Sequence, residues 1–112
     1  MERYLISFDD GSMRISEADL PAVSAASRAV VGEAKAAGVW IFGGGLLSQQ
    51  ASIVASDGSV SAGPYPETKA VIGGFSIFEV ASRDEALKWA AKLAAACRCA
   101  QEVREIMYDP ES

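Results

Sequence analysis

Tyr65, Glu67, Thr68 and Lys69 fall within five consecutive positions, and they are the side chains of this chain best equipped for chemistry. A phenol, a carboxylate, a hydroxyl and an ammonium so close together suit the capture of a small acid or phenol. Lys69 would anchor the negative or partly negative oxygen, and Glu67 would act as base or hydrogen-bond acceptor. Pro64 and Pro66 fix φ at their own positions and bias Gly63 and Tyr65 toward extended backbone, which limits the freedom of the loop. Ligand binding is therefore expected at Tyr65, Glu67, Thr68 and Lys69. The plainer alternative is that Glu67 satisfies amides of its own loop while Lys69 stays solvated or pairs across a dimer. No catalytic residue is assigned.

The chain contains no histidine among its 112 residues. Ser-His-Asp and Cys-His arrangements are impossible within it, and so is the commonest metal ligand. Cys97 and Cys99 are one residue apart, which is neither a C-x-x-C motif nor a comfortable disulfide, so they read as buried or half-buried thiols. With two cysteines and no histidine, a zinc or iron site of the usual ligands is not expected. Gly43-Gly44-Gly45 lacks the G-x-G-x-x-G spacing of a phosphate cradle and reads as a flexible turn or a point of close backbone approach. No cofactor is implied. Asp9 and Asp10 precede Gly11 and read as a solvated turn with a weaker reading as a cation site. Trp40, Phe42, Phe75, Phe78 and Trp89 fit a core or a subunit interface better than the walls of a pocket.

Half the residues are hydrophobic and 22% are charged, the balance of a globular chain, and its length suits a single domain over 1–112. Net charge is −5, with the lysines and arginines dispersed, which disfavours direct nucleic-acid binding. The apolar run near the N-terminus is too short for a signal peptide, and no stretch approaches the ~20 residues of a membrane span. A cytoplasmic protein with no membrane partner is expected.

The elements that must position these groups follow from periodicity. Residues 3–8 alternate, with Tyr4, Ile6 and Phe8 on one side, as in a half-buried strand. A helix begins at Ser16 or Asp19, carries Leu20, Val23, Ser27, Val30, Val31, Ala34 and Ala37 on one face, and stops at Gly38. Val39 to Phe42 is a strand without polar alternation, expected to be covered on both faces. Asp57-Gly58 signals a two-residue hairpin between 53–55 and 59–61. Strand 74–80 puts Phe75 and Ile77 on one side and Phe78 and Val80 on the other. Ser82-Arg83-Asp84-Glu85 is a capping box for a second helix with Ala86, Trp89, Ala90, Leu93 and Cys97 on its buried face. A last strand runs from Glu102 to Met107.

That order predicts an α+β fold, a ferredoxin-like two-layer sandwich. Two helices cover one face of the sheet only, while strand 74–80 is apolar on both. A homodimer packed sheet to sheet resolves the conflict.

Asp57-Gly58, Gly63 to Lys69, Gly73-Gly74-Phe75 and Asp84-Glu85-Ala86-Leu87-Lys88-Trp89-Ala90, in that order, resemble the YCII-related family. More narrowly they resemble its DGPF-motif branch, whose pattern runs Asp-Gly-Pro-Phe-x-Glu-Thr-Lys, a spacer and Gly-Gly-Phe. The resemblance implies a dimeric α+β barrel. Ala62 replaces the motif aspartate and Tyr65 the phenylalanine, and the His-Asp pair of the wider family has no counterpart in a chain without histidine. The resulting expectation is a homodimeric small-molecule-binding or regulatory module. The alternative is a cofactor-independent isomerase or lyase acting on an apolar acid or phenolic ring.

Overall fold

The computed structural model describes residues 1–47, 51–65 and 71–112. Strands β1 (Glu2–Asp9), β2 (Trp40–Gly45), β5 (Ile72–Val80) and β6 (Glu102–Glu105) form an antiparallel sheet in the order β2-β5-β1-β6. Helices α1 (Leu20–Ala36) and α2 (Arg83–Cys97) supply the second layer, and β3 (Ser52–Val54) pairs with β4 (Val60–Ala62) as a separate hairpin. This is the expected ferredoxin-like α+β arrangement, with the hairpin set between the second and third strands of the main sheet.

Period two decides the layers. In the β1/β5 ladder Tyr4 faces Phe78 and Ile6 faces Ser76, so Tyr4, Ile6, Phe78 and Val80 share the helix side and are wholly buried there. Val30 and Ala34 of α1 and Ala86, Ala90 and Leu93 of α2 close over them. Phe78 anchors the aromatic part of the core, with Trp40 edge-on at 5.5 Å and Trp89 at 5.6 Å between ring centroids. The opposite side of the same strands carries Leu5, Phe75 and Ile77, with Phe42 of β2 60% exposed and tilted against Phe75 at 5.9 Å. The aromatic set named from sequence is thus divided, with Trp40, Phe78 and Trp89 in the core and Phe42 and Phe75 on the open face. No element of this chain covers that face among the described residues, and the expectation that Val39–Phe42 is covered on both sides is not met within one subunit. The radius of gyration, 15.6 Å, exceeds the ~13 Å typical of this length because the molecule is a slab 19 Å thick.

Helix ends follow local chemistry. Asp19 is the N-cap of α1, but its side chain makes no capping bond; Pro21 lies in the first turn, and Ser16 accepts from Asp19 N–H at 3.3 Å one turn earlier. Gly38, at φ +74°, ends α1 as read from sequence, with Val39 N–H donating to Ala34 O and Gly38 N–H to Lys35 O. Leu20 and Ala37, assigned to the buried face, are exposed at the two ends. Ser82 caps α2 by accepting from Glu85 N–H, while the Glu85 carboxylate reaches one residue further back, to Ala81 N–H at 3.0 Å.

The glycine-rich segments depart from expectation. Gly43–Gly45 is not a turn but the second half of β2, paired to Ser76, Phe75 and Gly74. The close-approach reading holds at Gly43, where a Cβ would lie 2.7 Å from both the Phe75 carbonyl oxygen and the Trp40 ring. Ile41 is bulged between Trp40 and Phe42, which lets the indole fold back over Gly43. The hairpin loop is also longer than two residues. Ala55 N–H donates to Ser59 O and Gly58 N–H to Ala55 O, a three-residue loop with Gly58 at φ +89° in the left-handed position. Asp57 accepts from the backbone and side chain of Ser59, and these two bonds hold its carboxyl below the usual range. The hairpin strands sit one residue off their expected bounds, at 52–54 and 60–62, and β5 starts at Ile72, not Gly74. The last strand ends at Glu105, although Ile106 N–H still bonds Arg3 O.

Two glycine substitutions should therefore move stability in opposite directions. Gly43→Ala, forced against backbone on β5, should lower the free energy of unfolding in urea by about 1–3 kcal/mol. Gly32→Ala, on α1 with open space around it, should raise it by about 0.5–1 kcal/mol.

Candidate functional site

At the end of the sheet where β1 finishes and β5 begins lies a cleft of about 510 Å³, lined by Asp10, Gly45, Leu46, Leu47, Ala51, Pro64, Val71 and Ile72. Its size is that of an ordinary small-molecule pocket. Each wall is a continuation of a strand. Leu46 and Leu47 run on from β2, with Leu46 N–H donating to Gly73 O at 2.8 Å. Ala51 leads into β3 and Pro64 follows β4, and Gly63 N–H donates to Ala51 O at 3.0 Å to close the base of the hairpin. The Gly63–Pro64 peptide is cis. Val71 leads into β5, which Ile72 opens.

Asp10 reaches the cleft through an irregularity in the central ladder. Phe8 pairs with Gly74 and Asp9 with Ile72, so Gly73 is an extra residue on β5. A Cβ at Gly73 would lie 2.7 Å from the Asp10 Cα and 2.9 Å from its nitrogen, contacts that no side chain would allow. Asp10 N–H donates to Val71 O, which ties the end of β1 to the floor of the cleft. Gly74 is needed for a different reason: the Phe8 ring occupies the space a Cβ would take. The diglycine that stands out in the sequence is thus explained by two close approaches.

Among the described residues lining the cleft, Asp10 is the sole ionisable one, and the rest are apolar or glycine. Leu46, Leu47 and Ile72 are about half or more exposed, an unusual cost for aliphatic side chains of one small region. Tyr65 follows Pro64 and is 61% exposed, beside the lining and not part of it. Glu67, Thr68 and Lys69 lie outside the described residues. Asp9 and Asp10 are exposed and Asp10-Gly11 is a turn, as expected, and a bulge and a glycine additionally hold Asp10 at the rim of the cleft. Sequence reasoning missed Leu46 and Leu47 as well. Two large apolar residues straight after three glycines, where a turn was expected, were the signal available.

A second hollow, of about 410 Å³, lies at the other end of the β1/β5 ladder, between Met1–Arg3, Glu79 and the C-terminal residues 105–110 and Ser112. Several of its charged groups already have partners. Arg3 Nε pairs with Glu79 at 2.8 Å, and the Tyr4 hydroxyl donates to Glu2 at 2.5 Å with Glu105 Oε1 at 3.5 Å. Cys97 is buried at the end of α2 and its thiol is pushed up by that burial, then by the nearby Cys99, so it is a poor nucleophile. Among the described residues no three His, Cys, Asp or Glu side chains are placed to hold a metal ion, and no helix is long and apolar enough to cross a membrane.

The family model described as a YCII-related domain matches residues 4–108. The chain belongs to that family. No curated protein matches it. A solved structure of similar fold is the 5-chloro-2-hydroxyhydroquinone dehydrochlorinase TftG of Burkholderia phenoliruptrix AC1100, in complex with 2,5-dihydroxybenzoquinone. The two share 20% identity over 99% of this chain and 98% of that one, with a TM-score of 0.54. At that distance the likeness establishes the fold. Ala62, where the DGPF pattern has aspartate, is the last residue of β4, exposed and paired with Ser52.

The Tyr4 environment gives a pH dependence with a definite sign. The hydrogen bond to Glu2, then burial, then repulsion from Glu105 push the phenol up to about 12. A raised value means that the stability tied to the neutral phenol is complete below pH ~10 and is lost as pH climbs toward 12. In an ultraviolet titration, one tyrosine's share of the phenolate absorbance should come in near pH ~12 and be missing in Tyr4→Phe.

Proposed function

We propose that this YCII-related domain is a homodimeric small-molecule-binding or regulatory module, and that the cleft between β2, the hairpin and the start of β5 receives the ligand. The observation that carries the reading is the cleft itself: about 510 Å³, walled by Leu46, Leu47, Ala51, Pro64, Val71 and Ile72. Such walls suit a compact apolar body, with a small acid or phenol supplying the polar end. Lys69, five positions after Pro64, is the proposed partner for that polar end, together with Tyr65, Glu67 and Thr68. The segment also supports placing the chain in the DGPF-motif branch, with Ala62 as its main departure. The dimer reading draws on the open sheet face. Phe42, Phe75, Ile77 and Leu5 would be withdrawn from water by a second copy laid against them, closing the α+β barrel. The alternative, a cofactor-independent isomerase or lyase acting on an apolar acid or phenolic ring, is favoured by the TftG likeness alone, since that protein's name describes chemistry on a hydroxylated ring.

Two measurements test these readings. Titration with small phenols and carboxylates should shift the amide resonances of Leu46, Leu47, Val71 and Ile72. Lys69→Ala should weaken that binding about five- to tenfold with fold and assembly intact. Shifts confined to other parts of the molecule would defeat the cleft assignment. Sedimentation equilibrium at micromolar concentration should return a dimer, and Phe42→Glu, a charge on the open face, should return a folded monomer. A wild-type monomer would refute the assembly.

A further inference from the structure

The two thiols of the chain take no part in lining the cleft; they sit at the C-terminal end of α2, on either side of an unusual turn. Cys97 closes the helix and is buried, while Cys99 is half-buried. Arg98, between them, is the one non-glycine residue at positive φ among the described residues, with φ 57° and ψ 36°. An extended residue there would carry the chain onward, away from the helix. The left-handed turn folds it back instead, so that Arg98 N–H and Cys99 N–H both donate to Ala94 O, the latter at 3.2 Å. Cys99 is thereby held against the last turn of α2, the turn that Cys97 ends. Gln101 fixes it from the other side, its Nε2 donating to Cys99 Sγ at 3.6 Å and to Cys99 O at 3.5 Å. The upward push that Cys99 adds to burial at the Cys97 thiol follows from the same closeness. Arg98 Nη1 pairs with Asp19 at 3.0 Å, which ties the turn to the start of α1.

Independently of the cleft, we propose that Cys97 and Cys99 form a redox-responsive dithiol, in which Cys99 exchanges with a small-molecule disulfide and Cys97 resolves the product into an intramolecular disulfide. Unequal exposure assigns the roles, because exchange begins at the sulfur that an external reagent reaches. The Cys99 thiolate attacks one sulfur of the external disulfide. A new S–S bond forms, the external one breaks, and the leaving thiolate takes up the proton that Cys99 gave up. Cys97 then loses its proton, attacks Cys99 Sγ and expels the second external thiol. Two protein thiols are oxidised to one disulfide, and one external disulfide is reduced to two thiols. Cys97 is a poor nucleophile toward reagents in solution, but its target in the second step is two residues away, where proximity offsets a small thiolate fraction. With a single residue between the cysteines the ring that closes is tight, so the bond is strained and readily reduced again. Forming it draws Cys97 from its buried place and disturbs the cap at Arg98, and the pair with Asp19 passes that disturbance to α1.

The test treats the full, reduced chain with excess hydroxyethyl disulfide and reads intact mass, with free thiols counted by maleimide labelling after unfolding. Wild type should lose two hydrogens, keep no adduct, form no disulfide-linked pair of chains, and recover both thiols in excess mercaptoethanol. Cys97→Ser should retain one mercaptoethanol group on Cys99. In Cys99→Ser the remaining Cys97 should react about tenfold or more slowly than Cys99 does in Cys97→Ser. Amide shifts on oxidation of wild type should centre on Ala94 to Gln101 and on Asp19. A stable adduct on wild type, a disulfide between two chains, or two thiols left unreacted overturns the proposal. Equal reactivity of the two serine variants overturns the division of roles on which it rests. The wild-type reading needs no variant, and amide dispersion reports whether each serine variant is folded.

Discussion

Strand β5 is hydrogen-bonded along both edges, and its two faces are both apolar; the rest of the molecule is arranged around those two demands. On the helix side Phe78 and Val80 are met by Tyr4, Trp40, Trp89 and the alanine-rich face of α2. Small residues there are functional in a packing sense, because Ala86 and Ala90 bring the helix close enough for the aromatic rings to touch the sheet. On the other side Phe75 and Ile77 have Ser7, Leu5 and Phe42 beside them, and among the described residues no helix lies over the group. The central position of β5 also fixes the glycines. A strand flanked on both edges and crowded on both faces leaves little room for a neighbour's Cβ, and Gly43, Gly73 and Gly74 are where that room runs out.

Much of this was legible in the chain. The alternation of residues 3–8, the stop at Gly38, the Ser82 cap and the face of α2 follow from local chemistry, and the order of elements then leaves one sensible topology. What was not legible depends on contacts between residues distant in sequence. Gly43–Gly45 reads as a turn because nothing local reveals that Trp40 and Phe75 need the space. The Asp57-Gly58 pair fixes where a hairpin turns, but the loop length depends on how Val54 and Val60 register. Asp10 is exposed, as read, but its place at the cleft was not legible because it is set by an extra residue sixty-three positions later, at Gly73.

The candidate site shows the same division. The sequence marks the 63–69 segment through its prolines and mixed polar groups, and Pro64 does stand at the cleft. The aliphatic walls come from the ends of β2 and β5, where ordinary strand residues acquire a role only because the sheet stops there. Ends of strands are where side chains lose their neighbours, and there Leu46, Leu47 and Ile72 are left exposed to form a wall.

Among the described residues the β3–β4 hairpin shares no ladder with the four-stranded sheet and meets the cleft through Ala51 and Pro64 at its base. Its length and composition are thereby insulated from the register that fixes the core. Relatives could lengthen, shorten or recharge this arm and so reshape the rim of the cleft, while the pairing of Tyr4 with Phe78 stayed as it is. A fold built this way can diversify what it accepts without renegotiating how it folds.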